Sequence, residues 1–372
     1  MNYKYVTRFS ADMYRYKAKK TRKWKNLSGR RVLFITENRK ICDSQIYPFY
    51  FYNNEISRLF GPTEFREINI DLFERYYTLG EMGGADIVFF QPCFNKDHKL
   101  IVALLSQIRD ANPTAKVIFL DSFAPLDLRF ADLASPLIDF YIKKHVFQER
   151  GIYSQSTHGD TNLVEYYNDL YGLPQDDVVK FNIPDNFMEK LVVGPSFFTS
   201  RQMLPVLTAN PSSPKFAKKN DVHARLGATG TGWYQKMREH ALLACTQFKA
   251  NSIVTSAAVS NSNYMKELRS SRICFSPFGY GEVCWRDYEA IMCGALLIKP
   301  DMSHIETNPN IFIPFETYIP VAWDFSDLAE KVNYYLEHED EREKITRAAY
   351  DVLYDYIQDN GFVKQFSMLL TS

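Results

Sequence analysis

Short apolar runs alternate with segments of helical spacing along most of the chain. Residues 31–36 (RVLFIT), 67–70, 85–90 (ADIVFF), 115–120 (AKVIFL) and 138–142 (IDFYI) read as strands. Residues 47–59 and 99–109 read as helices between them. Strands that alternate with helices predict a parallel α/β sheet. The rhythm breaks over 146–185, a polar stretch with one helix near 162–171, which reads as an insertion at the rim of the first domain. Pro, Ser and Lys together over 208–219 mark a linker.

The alternation then restarts. A short strand at 221–225 precedes a Gly-rich loop, Gly227 to Gly232, and a helix near 233–248. Residues 264–270 form a short helix and 273–275 an apolar run. A second Gly-rich loop follows with Gly279 and Gly281, then helical spacing closed by Gly294, then a strand at 295–298. A strand, a Gly turn, a helix and a strand form the parallel-sheet unit whose turn takes ligands. Helices at 327–336 and 341–359 close the chain. At 372 residues the chain is long for one core, so two domains are expected. The expected division is a basic arm at 1–30, an α/β domain at 31–207 with its insertion, the linker at 208–219, a second α/β domain at 220–350, and a C-terminal helix at 351–372 set back against the first domain.

Charge adds one asymmetry to this picture. The chain balances 44 basic against 44 acidic residues, yet residues 1–31 hold eleven Lys and Arg and one acid, Asp12. Such an arm suits an anionic surface, or is simply a solvated leader. The six cysteines form no CxxC pair and read as reduced core residues. No signal peptide and no apolar run of spanning length is seen, so the expected setting is cytoplasmic.

Chemistry concentrates in the second half. Glu282, Arg286 and Glu289 are spaced by four and then three, which places them on one helical face. Two carboxylates and a guanidinium at the mouth of a Gly loop suit ribose hydroxyls and phosphates. In the earlier loop (GATGTG), backbone amides and a helix N-terminus can receive a phosphate. Its spacing is not that of the dinucleotide fingerprint, which counts against a dehydrogenase. Arg225, at a strand end, is the phosphate partner there. Arg238, six residues into the helix, reads as a surface charge.

Tyr264-Met265, Leu268, the run from Arg272 to Pro277, Arg286-x-x-Glu289-Ala290 and Cys293-Gly294-Ala295 together resemble the donor-binding half of GT-B glycosyltransferases. The pattern is closest to that of the group-1 and exostosin-like families and covers about 221–350. The resemblance implies a GT-B α/β fold: two Rossmann-like domains facing across a cleft, with C-terminal closing helices. It implies transfer from a nucleotide-sugar donor, a co-substrate with no further cofactor, to a saccharide or glycolipid acceptor in polysaccharide or glycan assembly. The residue at Glu289 would hold the ribose and Arg286 the diphosphate, with Glu282, Gly281, Arg225, Gly227, Gly230 and Tyr264 completing the donor side. Retaining members often carry a Glu eight positions before the ribose Glu. Here that position is Gly281, so inversion is favoured.

An inverting transfer needs a base for the acceptor hydroxyl proton. Asp121 and Asp127, at and after the end of the 115–120 strand, and Glu37, after the first strand, are the candidates. Arg129, His158, Asp160 and Asn162 are candidate acceptor contacts; His145 and His158 are the runners-up for the base, and His304 and Glu306, in the loop expected under the donor sugar, are weaker candidates. No HExxH, clustered Asp-x-Asp or Cys/His pairing suggests a metal. The basic arm is a candidate for peripheral contact with the cytoplasmic face of a membrane, and no nucleic-acid partner is expected. The alternative is a GT-B-like nucleotide-sugar epimerase or another nucleotide-binding α/β protein.

Overall fold

The computed structural model describes residues 3–25, 28–72, 79–248 and 251–371. Two parallel sheets organise them. The first contains β1 (Arg30–Thr36), β2 (Thr63–Asn69), β3 (Ile87–Gln91), β4 (Lys116–Asp121), β5 (Phe140–Lys143) and β6 (Leu191–Val193), in the order β2-β1-β3-β4-β5-β6. The second contains β7 (Asn220–Arg225), β8 (Ile253–Thr255), β9 (Ser271–Phe275), β10 (Leu296–Pro300) and β11 (Ile319–Val321), in the order β8-β7-β9-β10-β11. In both sheets the chain steps outward once, then reverses past its first strand. That reversal creates a switch point at β1/β3 and another at β7/β9, where loops diverge and leave a crevice.

The central strands are apolar on both faces because helices cover both faces. Phe34 of β1 is fully buried among Phe49, Tyr50, Phe65 and Phe89, the last stacked at 5.2 Å. Burial of one such ring is worth about 1.5–3 kcal/mol.

Where a single helix is expected over 47–59, the chain forms two, Lys40–Phe51 and Asn53–Phe60. Pro48 lies inside the first and has no N–H for the carbonyl of Ser44. The hydroxyl of Thr199 donates to that carbonyl instead, at 2.6 Å.

The basic arm is also helical, over Tyr3–Lys20. It turns Ala11 and Ala18 inward and is tied down by Arg15, whose guanidinium donates to both oxygens of the buried Glu67 at 2.9 and 3.0 Å and also to Asp43. A solvated leader is therefore corrected to a docked helix.

The carboxyl edges of the two sheets face each other and are joined. His145–Phe147 pairs antiparallel with Ile305–Thr307, a two-stranded ribbon with one strand from each side. The helix Asn162–Tyr171, expected at the rim of the first domain, instead packs on the helix Gly232–Cys245 of the second. There Tyr167 stacks on Trp233 and Tyr171 meets His240. At the chain end, Phe362 lies against Phe49 and Tyr52, and Lys116 donates to the Met368 carbonyl at 3.2 Å. No helix among the described residues is long and apolar enough to cross a membrane.

Candidate functional site

The β7/β9 switch point is built from the loop after β7 and from residues 276–284, which lead into the helix Trp285–Met292. Asp287 sets this second loop. Its carboxylate accepts from the Cys284 amide at 2.8 Å and the Ser276 hydroxyl at 2.6 Å, and Lys299 lies 3.2 Å away. The helix therefore starts at a fixed point, and Arg286 and Glu289 project from its first two turns.

Arg286 donates to the Arg225 carbonyl at 3.1 Å, and its Nε finds no partner among the described residues. Arg238, read from sequence as a surface charge, is buried beside it. Its guanidinium donates to the Phe278 carbonyl at 2.5 Å, lies 5.0 Å from the Tyr234 ring, and leaves Nε unpaired. Burial and the neighbouring Arg286 charge both pull the Arg238 pKa down. Two neighbouring cations that meet no carboxylate among the described residues form a site suited to an anion. The sequence signal for Arg238 is Tyr234, four residues earlier, which supplies the ring beneath it.

Glu289 is buried, and burial pushes its carboxyl up. Tyr264, Arg286 and Lys40 pull it in the opposite direction. Lys40 comes from the other domain, so this carboxylate lies where the two halves meet. Glu289, Arg286, Tyr264 and the Arg225 backbone are thus brought together.

The other residues expected on the donor side separate. The Arg225 side chain does not present itself to a phosphate, because its guanidinium is held by both oxygens of Glu267 at 2.8 and 2.9 Å. Gly230 has φ of 147°, and a Cβ there would stand 2.3 Å from the Tyr280 hydroxyl. That hydroxyl already accepts from the Thr231 amide at 3.3 Å, so part of the expected phosphate loop is covered. Gly227 borders open space. Gly281 serves the approach of the domains: a Cβ on it would lie 2.1 Å from the Ala124 carbonyl oxygen. Glu282 is fully buried with both oxygens unpaired, 3.6 Å from His145 and near His304.

The three candidate bases are engaged. Asp121 accepts from Lys143 Nζ and the Tyr141 hydroxyl at 2.7 Å each and from the Phe123 amide at 2.8 Å. Glu37 accepts from the Cys93 amide at 2.8 Å and from Arg39 at 3.0 Å. Asp127 gives both oxygens to Arg129, at 2.7 and 2.8 Å. The geometry assigns all three to holding loops in place. They sit at strand ends as expected, but the amides and cations there already use them.

Arg129 also donates to Asp160 at 2.8 Å. Asp127, Asp160 and Asn162 line a cavity of about 60 Å³ with Phe147, Tyr153 and Phe181. The Oδ1 of Asn162 is buried there without a partner. His158 falls outside, on a short hairpin with its ring against the Asp176 carbonyl. Glu306 is paired with Arg150 across the domain junction. A larger cavity, about 530 Å³, lies at the opposite, amino edge of the first sheet around Ser28, Arg30 and Asp86. Among the described residues no cluster of three or more metal-ligating side chains occurs.

Residues 215–358 match a family described as glycosyl transferase-like. No curated protein matches the chain. Among solved structures, a glycosyltransferase from Rickettsia africae ESF-5 superposes with a TM-score of 0.50 at 10% identity, covering 93% of this chain and 100% of that one. An alpha-glucosyltransferase in complex with UDP-glucose and DNA containing an abasic site aligns over 91% of this chain and 98% of that one, at 13% identity and a TM-score of 0.49. TarM aligns over 77% of this chain at 9% identity and a TM-score of 0.46, and this chain spans 55% of its length. Residues 215–358, which span the second sheet, are thus glycosyl transferase-like, and the two facing Rossmann-like domains give the chain the GT-B fold.

Proposed function

We propose that the chain transfers a glycosyl group from a nucleoside diphosphate sugar to a hydroxyl of a saccharide or lipid-linked acceptor, in glycan assembly. The observation that carries this reading is two buried arginines at the switch point, Arg238 and Arg286, near enough for the Arg286 charge to act on Arg238, each with an Nε that finds no partner among the described residues, and the buried carboxylate Glu289 within reach of the Arg286 charge. A carboxylate accepts two ribose hydroxyls, and two guanidiniums meet the diphosphate beside it. As the acceptor oxygen bonds to the anomeric carbon, the carbon–oxygen bond to the diphosphate breaks, and its electron pair stays on the diphosphate. Arg238 and Arg286 stabilise that charge, so the proposed leaving-group departure uses no metal.

The acceptor proton passes to a carboxylate on the first-domain side. Asp160 takes that role in the proposal, because it gives a single oxygen to Arg129 and lines the small cavity. Inversion is supported by the Ala124 backbone, which leaves no room for a side chain at position 281.

The test is a thermal-shift titration with nucleoside diphosphates. A ligand that binds only the folded chain raises its melting temperature. Glu289→Ala and Arg286→Ala should each remove the shift while the unliganded melt stays cooperative. A shift unchanged in both variants would remove the donor assignment.

A further inference from the structure

The N-terminal helix Tyr3–Lys20 carries three large apolar side chains that do not pack on its own domain. Its inward positions include Ala11, Tyr14, Ala18 and the tethering Arg15. Its outward positions include Phe9, Met13 and Tyr16, which are 66%, 39% and 61% exposed. The intervals of four and three place these three on one stripe, and Lys20 continues it at the next step of four.

The charge around that stripe has one sign. Lys17, Lys20 and Lys23 are exposed and form no ion pair among the described residues. The acid on the helix, Asp12, is taken by Arg201 at 2.7 Å and lies 4.0 Å from Arg8. An apolar, aromatic-bearing stripe ringed by lysines and free of available carboxylate is the pattern of a helix lying in the plane of an anionic lipid surface.

The placement of the helix gives this face a direction. Lys19 Nζ reaches Asn38 at 3.5 Å, in the loop that follows β1 at the carboxyl edge of the first sheet. The lysine end of the helix therefore stands on the rim of the crevice between the domains.

We infer that the outer face of the helix Tyr3–Lys20 docks on an anionic bilayer, with Phe9, Met13 and Tyr16 inserted at the headgroup boundary and Lys17, Lys20 and Lys23 against lipid phosphates and carboxylates. The docking stands without the transfer reading. Its consequence, that the acceptor is presented at the bilayer, rests on that reading.

Co-sedimentation of the full chain with vesicles tests the docking without any nucleotide. Phosphatidylserine–phosphatidylcholine vesicles should bind the chain, and pure phosphatidylcholine should bind it far less. Added salt should weaken the binding, because the exposed lysines are screened. The double variant Lys17→Gln/Lys20→Gln should bind roughly 20-fold more weakly. Phe9→Ser/Tyr16→Ser should lose binding while its melting temperature and its nucleotide-induced shift stay as in the parent. The inference falls if anionic vesicles do not bind, or if Phe9→Ser/Tyr16→Ser binds them as the parent does. It also falls if the same substitutions convert a dimer to a monomer, since a second copy would then cover the face. A chain that docks but shows no nucleotide shift would overturn the donor reading alone.

Discussion

His145 Nε2 lies 3.6 Å from the carboxylate of Glu282, and the two residues come from opposite domains. Both are buried, and no hydrogen bond satisfies either side chain among the described residues. Burial, reinforced by Lys143 and Lys144, pushes His145 down to about 3. Burial pushes the Glu282 carboxyl up, against the pull of His304. Both groups therefore favour their neutral forms where the domains touch.

The pH dependence of stability follows from these shifts. Between the ordinary histidine value of about 6.5 and the folded value of about 3, the unfolded chain binds a proton at His145 that the folded chain refuses. Stability should therefore fall as pH drops through this window, and His145→Gln should flatten the fall. His223, pushed down to about 4 mainly by burial, accounts for part of the slope that remains. Glu282 has the opposite sign. Its contribution is complete below its unfolded value and is lost as pH rises through its raised folded value. Glu282→Gln should accordingly stabilise the fold at pH 8 by on the order of 1–3 kcal/mol. Thermal melts of the parent and both variants from pH 4 to 8 check both signs. A Glu282→Gln protein less stable than the parent at pH 8 would contradict the neutral-pair account.

Asp121 offers a test of structure against chemistry. It pairs with Lys143 at 2.7 Å, and neither side chain reaches solvent. Asp121→Asn keeps the shape but leaves a buried ammonium without its counter-charge, a loss of about 3–5 kcal/mol. The expected outcome is a lower denaturation midpoint with turnover per folded molecule largely kept. An unchanged midpoint with turnover abolished would return Asp121 to the role of base.

Gly281 tests the junction between the domains. A Cβ there would be 2.1 Å from the Ala124 carbonyl oxygen, so one loop must move. Gly281→Ala should cost about 1–3 kcal/mol and widen the crevice. Melting curves and small-angle scattering would show this as a lower midpoint and a larger radius of gyration. A variant with parental stability and dimensions would mean that the two loops are not held together.

Most strands of both sheets were legible because their apolar runs are bounded by polar turns. Three were not: Leu191–Val193, Ile253–Thr255 and Ile319–Val321. Each is three residues long at a sheet edge, too short for a period to register. The helix Trp285–Met292 was legible from its Gly loop, its 286–289 spacing and its Gly294 stop. Arg238 was not, because the aromatic at i−4, Tyr234, is compatible with an exposed arginine as well as with one that reaches a buried carbonyl.

The local order of the chain alone thus determined that strands and helices alternate, that the sheets are parallel, and that a carboxylate and a guanidinium share the first turns of the helix Trp285–Met292. Periodicity and turn chemistry act over a few residues, and these features span no more. Only the tertiary structure decided which polar groups remain available. Asp121, Asp127 and Glu37 look alike in sequence to any free carboxylate, yet each is occupied by a partner that the fold brings near. Arg238 and Arg286, 48 positions apart by number, become a pair for the same reason. Burial and partnership at a site are set by contacts between distant segments, and such contacts leave no local pattern in the chain.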